Sequence, residues 1–231
     1  MNNERAPATT SLTTAESWSI DADAPLQAVF ESPECPPLVR QTLSSSLSWQ
    51  ARNETPVRRA LASPHVAPYW LAALLALGAT ITIEDGNSPT EIPLETLIQR
   101  KAEGRVSALH IQAVGVRWGE AHVARTPADE PIVAAVAALK IDESSGQAIA
   151  SDARVALTGV WPEPVRLAES AAQLTNHPLD KKSIRTVAEA VEKEVAPKGD
   201  FLGSEEYRRA MARVLTSRAL GQCLRQETED E

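Results

Sequence analysis

The sequence predicts an α+β protein in two parts, and three observations carry that expectation. Residues 70–77 are almost wholly apolar, and Ala79-Thr-Ile-Thr-Ile-Glu84 directly behind them alternates in polarity. That pattern reads as a short buried helix leading into a half-buried strand. Two further apolar segments, 132–141 and 149–160, flank the turn-forming Glu143-Ser-Ser-Gly146 and read as an antiparallel hairpin. The chain then closes on helical patterns, one of which sets Ile184, Val187, Ala188, Val191 and Val195 on a single stripe.

At 231 residues the chain can bury one large core or two small ones. Its net charge of -8 leaves no basic excess to neutralise phosphates, which argues against nucleic acid as the main partner. No apolar run approaches the length that a bilayer requires. The first residues hold one basic side chain, Arg5, and no apolar centre, so a mobile tail is expected over 1–27 rather than a signal peptide. A first domain over 28–114 and a second over 115–231 should follow. Cys35 and Cys223 form no CxxC pair and read as two reduced thiols of a cytoplasmic protein. An iron–sulfur cluster needs four such ligands, so any cluster would sit on another chain.

Taken in order, Leu38, Val39, Leu43 and Leu47 recur at helical spacing behind Pro36-Pro37. Residues 52–64 hold Pro56, Pro64 and the pair Arg58-Arg59, and read as a loop. Pro68 can open the apolar helix because its missing N–H would be unpaired there, and Gly78 can close it in the left-handed conformation. Asp85-Gly86-Asn87 makes a turn, and Thr90-Glu-Ile-Pro93 returns as a second strand. A helix over 94–100, ended by Gly104, and a strand over 105–112 bring the first domain to a boundary near Gly115. The stretch from Trp118 ends in the turn-rich loop Thr126-Pro-Ala-Asp-Glu-Pro131, and Trp161-Pro-Glu-Pro164 stops the later hairpin.

Three helices are expected after it, over 166–174, over 181–195 and from Ser204 onward. Ser204 is a good N-cap, with Glu205 and Glu206 in the positive first turn. Tyr207, Met211, Val214, Leu215 and Ala219 should form the buried face of this last helix. Arg208, Arg209, Arg213, Arg218 and Arg225 should point outward.

No catalytic or metal constellation stands out. His65, His110, His122 and His177 sit at no ligand spacing, and no carboxylate joins them in a recognisable motif. Ser44-Ser45-Ser46 is in no nucleophile-elbow context, and Asp129-Glu130 reads as a solvated corner. Arg58-Arg59 reads either as two ordinary surface charges or as a side-chain anion site.

Two sets of residues carry a family resemblance. Arg52-Asn53, Leu61-Ala62 and Ala72-Ala-Leu-Leu-Ala-Leu77 resemble the second flavin-binding segment in the medium subunit of molybdenum hydroxylases, which include carbon monoxide dehydrogenase and bacterial xanthine dehydrogenases. Thr158-Gly-Val-Trp-Pro-Glu-Pro-Val-Arg166, Gly203-Ser-Glu-Glu-Tyr-Arg-Arg209 and Arg213-Val-Leu-Thr-Ser-Arg-Ala-Leu220 resemble the C-terminal domain of the same subunit. The resemblance implies the remnant of a PCMH-type FAD-binding subdomain, then a small antiparallel sheet with helices. It also implies FAD as the family cofactor, oxidoreductase chemistry, and iron–sulfur and molybdenum-cofactor subunits as partners.

The departures fall on the flavin chemistry. Laid against the family segment without a gap, its glycine-threonine falls on Thr55 and Pro56, and its glycine pair on Arg58 and Arg59. Its asparagine falls on Ala60, and its aspartate on Tyr69. A side chain forced into a left-handed glycine conformation costs about 1–2 kcal/mol, and Pro56 has no N–H to offer. The first glycine of the chain is Gly78, so residues 1–77 are expected to hold no glycine-rich phosphate loop.

The resemblance therefore implies a degenerate, flavin-free relative with no cofactor and no catalysis of its own, kept as a structural or assembly partner of an oxidoreductase complex. A working FAD electron-transfer subunit and a stand-alone anion-binding protein are the other readings. Arg52, Asn53, Thr55, Arg58 and Arg59 mark the degenerate cofactor segment. Arg208, Arg209 and Arg213 are the candidates for docking another subunit.

Overall fold

Two antiparallel four-stranded sheets and a set of short helices share one hydrophobic core, and further helices cover the other side of the second sheet. The computed structural model describes residues 17–86, 88–101, 104–113, 115–126, 129–142 and 148–225. The first sheet has the order β1-β4-β2-β3, built from β1 (Trp18–Asp21), β2 (Thr80–Glu84), β3 (Thr90–Pro93) and β4 (Arg105–Ile111). The second is a meander of β5 (Val116–Val123), β6 (Val133–Asp142), β7 (Ile149–Thr158) and β8 (Val165–Leu167). The expected α+β class is thus observed, with antiparallel pairing throughout both sheets.

Among the described residues, six short helices precede the second sheet: α1 (Leu26–Glu31), α2 (Pro37–Ser46), α3 (Trp49–Glu54), α4 (Val57–Ala62), α5 (Pro68–Ala76) and α6 (Leu94–Ile98). Helix α5 forms as its sequence predicts, opened by Pro68 and closed by Gly78 at φ 67°. From Tyr69 to Ala76 every residue is buried, because α2 packs on one side of the helix and β6, β7 and β8 on another. Each fully buried large side chain there, Trp70, Leu71 and Leu74 among them, contributes about 1.5–3 kcal/mol from apolar surface removed from water.

This placement explains the alanine-rich strand β6. Ala134, Val136 and Ala138 face the core that contains α5, while Val133, Ala135, Ala137 and Leu139 face the opposite core. A strand covered on both sides by helices reads as one apolar run. The second core is closed by α7 (Lys181–Glu194) and α8 (Glu205–Arg225), which pack on each other, with α8 against β5 and β6. Helix α7 starts with a reciprocal capping box between Asp180 and Ser183.

Several expectations are corrected. The tail expected over 1–27 gives way at Trp18, since β1 pairs along β4 and α1 buries Leu26 and Val29. Residues 52–64 are not a loop: most of them lie in α3 and α4, whose N-caps are Ser48 and Pro56. Proline is tolerated at a helix start, so Pro56 caps a helix where a loop was expected. Residues 116–123, assigned no element from the sequence, form β5. The helix expected over 166–174 is the strand β8 followed by a 3-10 turn, Glu169–Leu174. Glu143-Ser-Ser-Gly146 and Asn87 lie outside the described residues.

Candidate functional site

The segment aligned with the family's flavin-binding stretch folds as two helix ends packed on the chain's own N-terminal part. Arg52 is buried: its Nε donates to Gln27 Oε1 at 2.9 Å and its Nη1 to the Leu47 carbonyl at 2.7 Å. Its guanidinium also lies over the Phe30 ring, 4.5 Å from the centroid. Asn53 Nδ2 donates to the Trp49 carbonyl, and Thr55 is the buried residue that ends α3. Arg58 is ion-paired with Asp23, and Arg59 lies exposed on α4. These five residues thus hold the local structure together, except for Arg59.

The backbone decides what the segment can hold. Val57 N–H donates to the Ala24 carbonyl at 2.9 Å, and Arg58 N–H to the Ala22 carbonyl at 2.8 Å. Arg59 and Ala60 N–H groups both donate to the Pro56 carbonyl, as the first turn of α4. Arg58 and Arg59 are not among the residues with positive φ. A diphosphate cradle needs backbone amides aimed at the ligand, and here those amides are taken up by carbonyls of the same chain. The segment as folded does not fit a flavin diphosphate.

A second group of side chains converges where the helical layer meets β5. Tyr69, on α5, is almost fully buried, and its hydroxyl donates to Glu120 Oε2 and lies 3.2 Å from His122 Nδ1. His122 Nδ1 is also 3.2 Å from Glu120 Oε2. Gln41, from α2, donates to Glu120 Oε1. Glu120 and His122 alternate along β5 and so share one face of the strand. From the other side, Gln222 of α8 accepts from the Glu120 N–H at 2.8 Å and donates to the Glu120 carbonyl at 2.7 Å.

Sequence reasoning passed over this cluster, having found no carboxylate placed with a histidine. The one legible signal was the Glu-x-His spacing on a strand, and that strand was itself missed. An open pocket of about 540 Å³ lies beside the cluster, between β5 and α8. A smaller cleft of about 210 Å³ lies at the end of α5, lined by Gly78, His110, Lys140 and Arg154. Among the described residues no group of three or more His, Cys, Asp and Glu side chains could hold a metal ion.

The three docking candidates separate. Arg208 is buried, not outward, and binds Asp200 with both carboxylate oxygens as well as the carbonyls of Ile132 and Gly159. Arg209 and Arg213 are exposed, Arg213 lying 3.4 Å from Glu192. The inward face of α8 is Arg208, Ala212, Leu215, Thr216, Ala219, Leu220 and Cys223, and Tyr207 is exposed. The polar residues of this helix are spread nearly all round, so its pattern alone pointed to a neighbouring stripe.

With fold and site in place, comparison with known proteins gives a consistent class. The family model for the CO dehydrogenase flavoprotein C-terminal domain matches residues 121–223. The fold is shared with solved oxidoreductase structures. A chain of quinoline 2-oxidoreductase from Pseudomonas putida 86 matches with a TM-score of 0.76 at 21% identity, covering 93% of this chain and 77% of that one. A chain of carbon monoxide dehydrogenase from Hydrogenophaga pseudoflava matches at 0.77 and 19%, with the same coverage. One from Oligotropha carboxidovorans matches at 0.74 and 21%, covering 91% and 76%. No curated protein matches by sequence. Residues 121–223 are thus similar to the CO dehydrogenase flavoprotein C-terminal domain, and the chain shares its fold with these oxidoreductase subunits, in line with the resemblance to the molybdenum hydroxylase medium subunit. No helix among the described residues is long and apolar enough to cross a membrane.

Proposed function

We propose that this chain is a flavin-free relative of the FAD subunit of molybdenum hydroxylases, acting as a structural or assembly partner of an oxidoreductase complex. One observation carries the reading: the Val57 and Arg58 amides, where a diphosphate would be cradled, bond to the Ala24 and Ala22 carbonyls. Freeing them would require the residues around Ala22 and Ala24 to leave their places beside β4 and α4. Pro56 supplies no donor, and the Arg58 side chain is held by Asp23.

A chain without a cradle but with the family's C-terminal domain retains its contact surfaces. By the family likeness, its partners are iron–sulfur and molybdenum-cofactor subunits. The exposed Arg209 and Arg213 of α8 are the residues to steer an acidic partner surface, where charge sets register and encounter rate more than raw affinity.

The test is the visible spectrum of the purified protein. It is expected to be colourless and to take up no FAD at micromolar concentrations. Stoichiometric yellow cofactor surviving gel filtration would overturn the reading. The docking role is tested by changing Arg209→Glu and Arg213→Glu together. Loss of co-purifying subunits with an unchanged melting temperature supports it, and unchanged co-purification removes it.

A further inference from the structure

Helices α7 and α8 leave an open groove along the line where they meet. Beneath it they share one core, to which α7 gives Ile184, Val187 and Val191 and α8 gives Leu215 and Ala219. The groove holds about 410 Å³ and is lined by Arg185, Ala188 and Glu189 of α7 and by Arg213, Val214 and Arg218 of α8. Helix α7 is tied at both ends, by the Asp180–Ser183 capping box and by Glu194, which accepts from the Glu169 and Ser170 N–H groups. The walls are therefore in place before any ligand arrives, which lowers the ordering cost of binding.

The lining is positive and partly apolar. Three arginines meet one carboxylate, Glu189, in a chain whose net charge is -8. A hydrogen bond from Arg185, helped by the charges of Arg185, Arg213 and Lys193, holds that carboxyl below the usual carboxylate range. Arg213 lies 3.4 Å from Glu192 on the neighbouring helix. Both pairs are open to solvent, and exposed pairs contribute little, so an incoming carboxylate can take over either arginine at small cost. Arg218 is exposed and makes no hydrogen bond or ion pair among the described residues. A guanidinium presents a planar fork that matches carboxylate oxygens. A lone small anion would engage one of these arginines and leave Ala188 and Val214 wet. A segment with several carboxylates and an apolar side chain engages the whole lining.

We propose that the α7–α8 groove docks an acidic segment of a partner protein, its carboxylates on Arg185, Arg213 and Arg218 and an apolar side chain on Ala188 and Val214. The proposal rests on the docking role given to α8 above and narrows it, from a charged surface that steers a partner to a groove that holds one segment of it. A solvated arginine face is the alternative. It predicts no dependence on Val214 and no preference for Arg218 over Arg209, which lies outside the groove.

The experiment uses the full chain and a labelled Glu-Leu-Glu-Glu-Leu-Glu peptide, with Gln-Leu-Gln-Gln-Leu-Gln as its uncharged counterpart, followed by fluorescence anisotropy. Saturable binding with a Kd at or below about 100 µM at low salt is expected, weakening as salt rises. The uncharged peptide and Arg218→Glu should each weaken binding by about tenfold or more, and Val214→Thr, which keeps the shape and adds a hydroxyl, by about threefold. Arg209→Glu should leave it nearly unchanged. Absence of saturation, equal loss from Arg209→Glu and Arg218→Glu, or unchanged binding in Val214→Thr overturns the proposal. Binding seen only after residues 226–231 are removed assigns the groove to the chain's own Glu227, Glu229, Asp230 and Glu231, and overturns the partner. Self-association that Arg218→Glu abolishes assigns it to a second copy, with the same effect. If Arg209→Glu with Arg213→Glu abolishes co-purification while no peptide binds, the docking role stands and the groove falls. Peptide binding with unchanged co-purification keeps the groove and removes the hydroxylase subunits as its partner.

Discussion

Arg208 donates through Nη2 to both carboxylate oxygens of Asp200, each at 2.8 Å, while its Nη1 donates to the carbonyls of Ile132 and Gly159. One side chain on α8 therefore ties together the turn before its own helix, the start of β6 and the end of β7. Replacing it by Met keeps the length but leaves these acceptors without their donor. A loss of about 2 kcal/mol or more is expected, from the desolvation penalty of unsatisfied buried groups. Urea unfolding of Arg208→Met against Arg209→Met checks it, since the exposed Arg209 should cost almost nothing.

The same pair gives stability a pH dependence. The hydrogen bond from Arg208, helped by the Leu202 N–H, holds the Asp200 carboxyl below the usual carboxylate range. A depressed folded-state pKa contributes stability above the unfolded value and loses it as pH falls through the folded value. The gap in melting temperature between wild type and Asp200→Asn should be full at neutral pH and close on acidification. A gap that persists at the acid end would show that Asp200 acts through shape alone.

Two glycines of the second half should respond to alanine with opposite signs. At Gly119 a Cβ would meet the Ala219 carbonyl at 2.1 Å and Gln222 Cβ at 2.7 Å. Overpacking against backbone costs about 1–3 kcal/mol. At Gly221, inside α8, a Cβ meets only the Arg225 guanidinium at 3.7 Å. There alanine should stabilise by up to about 1 kcal/mol through helix propensity. Thermal unfolding of the two single variants measures both effects.

Both thiols should be inert in the folded chain. Burial pushes Cys35 and Cys223 up to about 12, so almost no thiolate forms at neutral pH. A disulfide-exchange reagent is expected to label neither until the protein is unfolded, and then both. Rapid labelling of either in the native state would contradict its burial.

Legibility in the sequence followed the range of the interactions. Helix α5, the hairpin of β2 and β3, the paired β6 and β7, and α7 were readable because proline, glycine and apolar periodicity act over a few residues. Helices α3 and α4 were hidden by the assumption that prolines and arginines mark loops, when Pro56 is a cap and Arg52 is an interior cation. Strand β5 was hidden because Arg117, Glu120 and His122 interrupt its apolar residues and the helices packed on it, α2 and α8, come from distant segments. The Tyr69–Glu120 contact joins residues 51 positions apart, and Gln222 closes on Glu120 across 102. Nothing local announces such meetings.

Helix α5 packs on a sheet that is made after it. The nascent chain completes α5 and the first sheet while β6, β7 and β8, which cover the helix's remaining face, are still unmade. Until they arrive, a slab of tryptophan, leucine and alanine side chains has no protein surface against it. The order of synthesis thus leaves one face of this helix bare until the later strands emerge, and transiently exposed apolar surface of that kind is prone to aggregation.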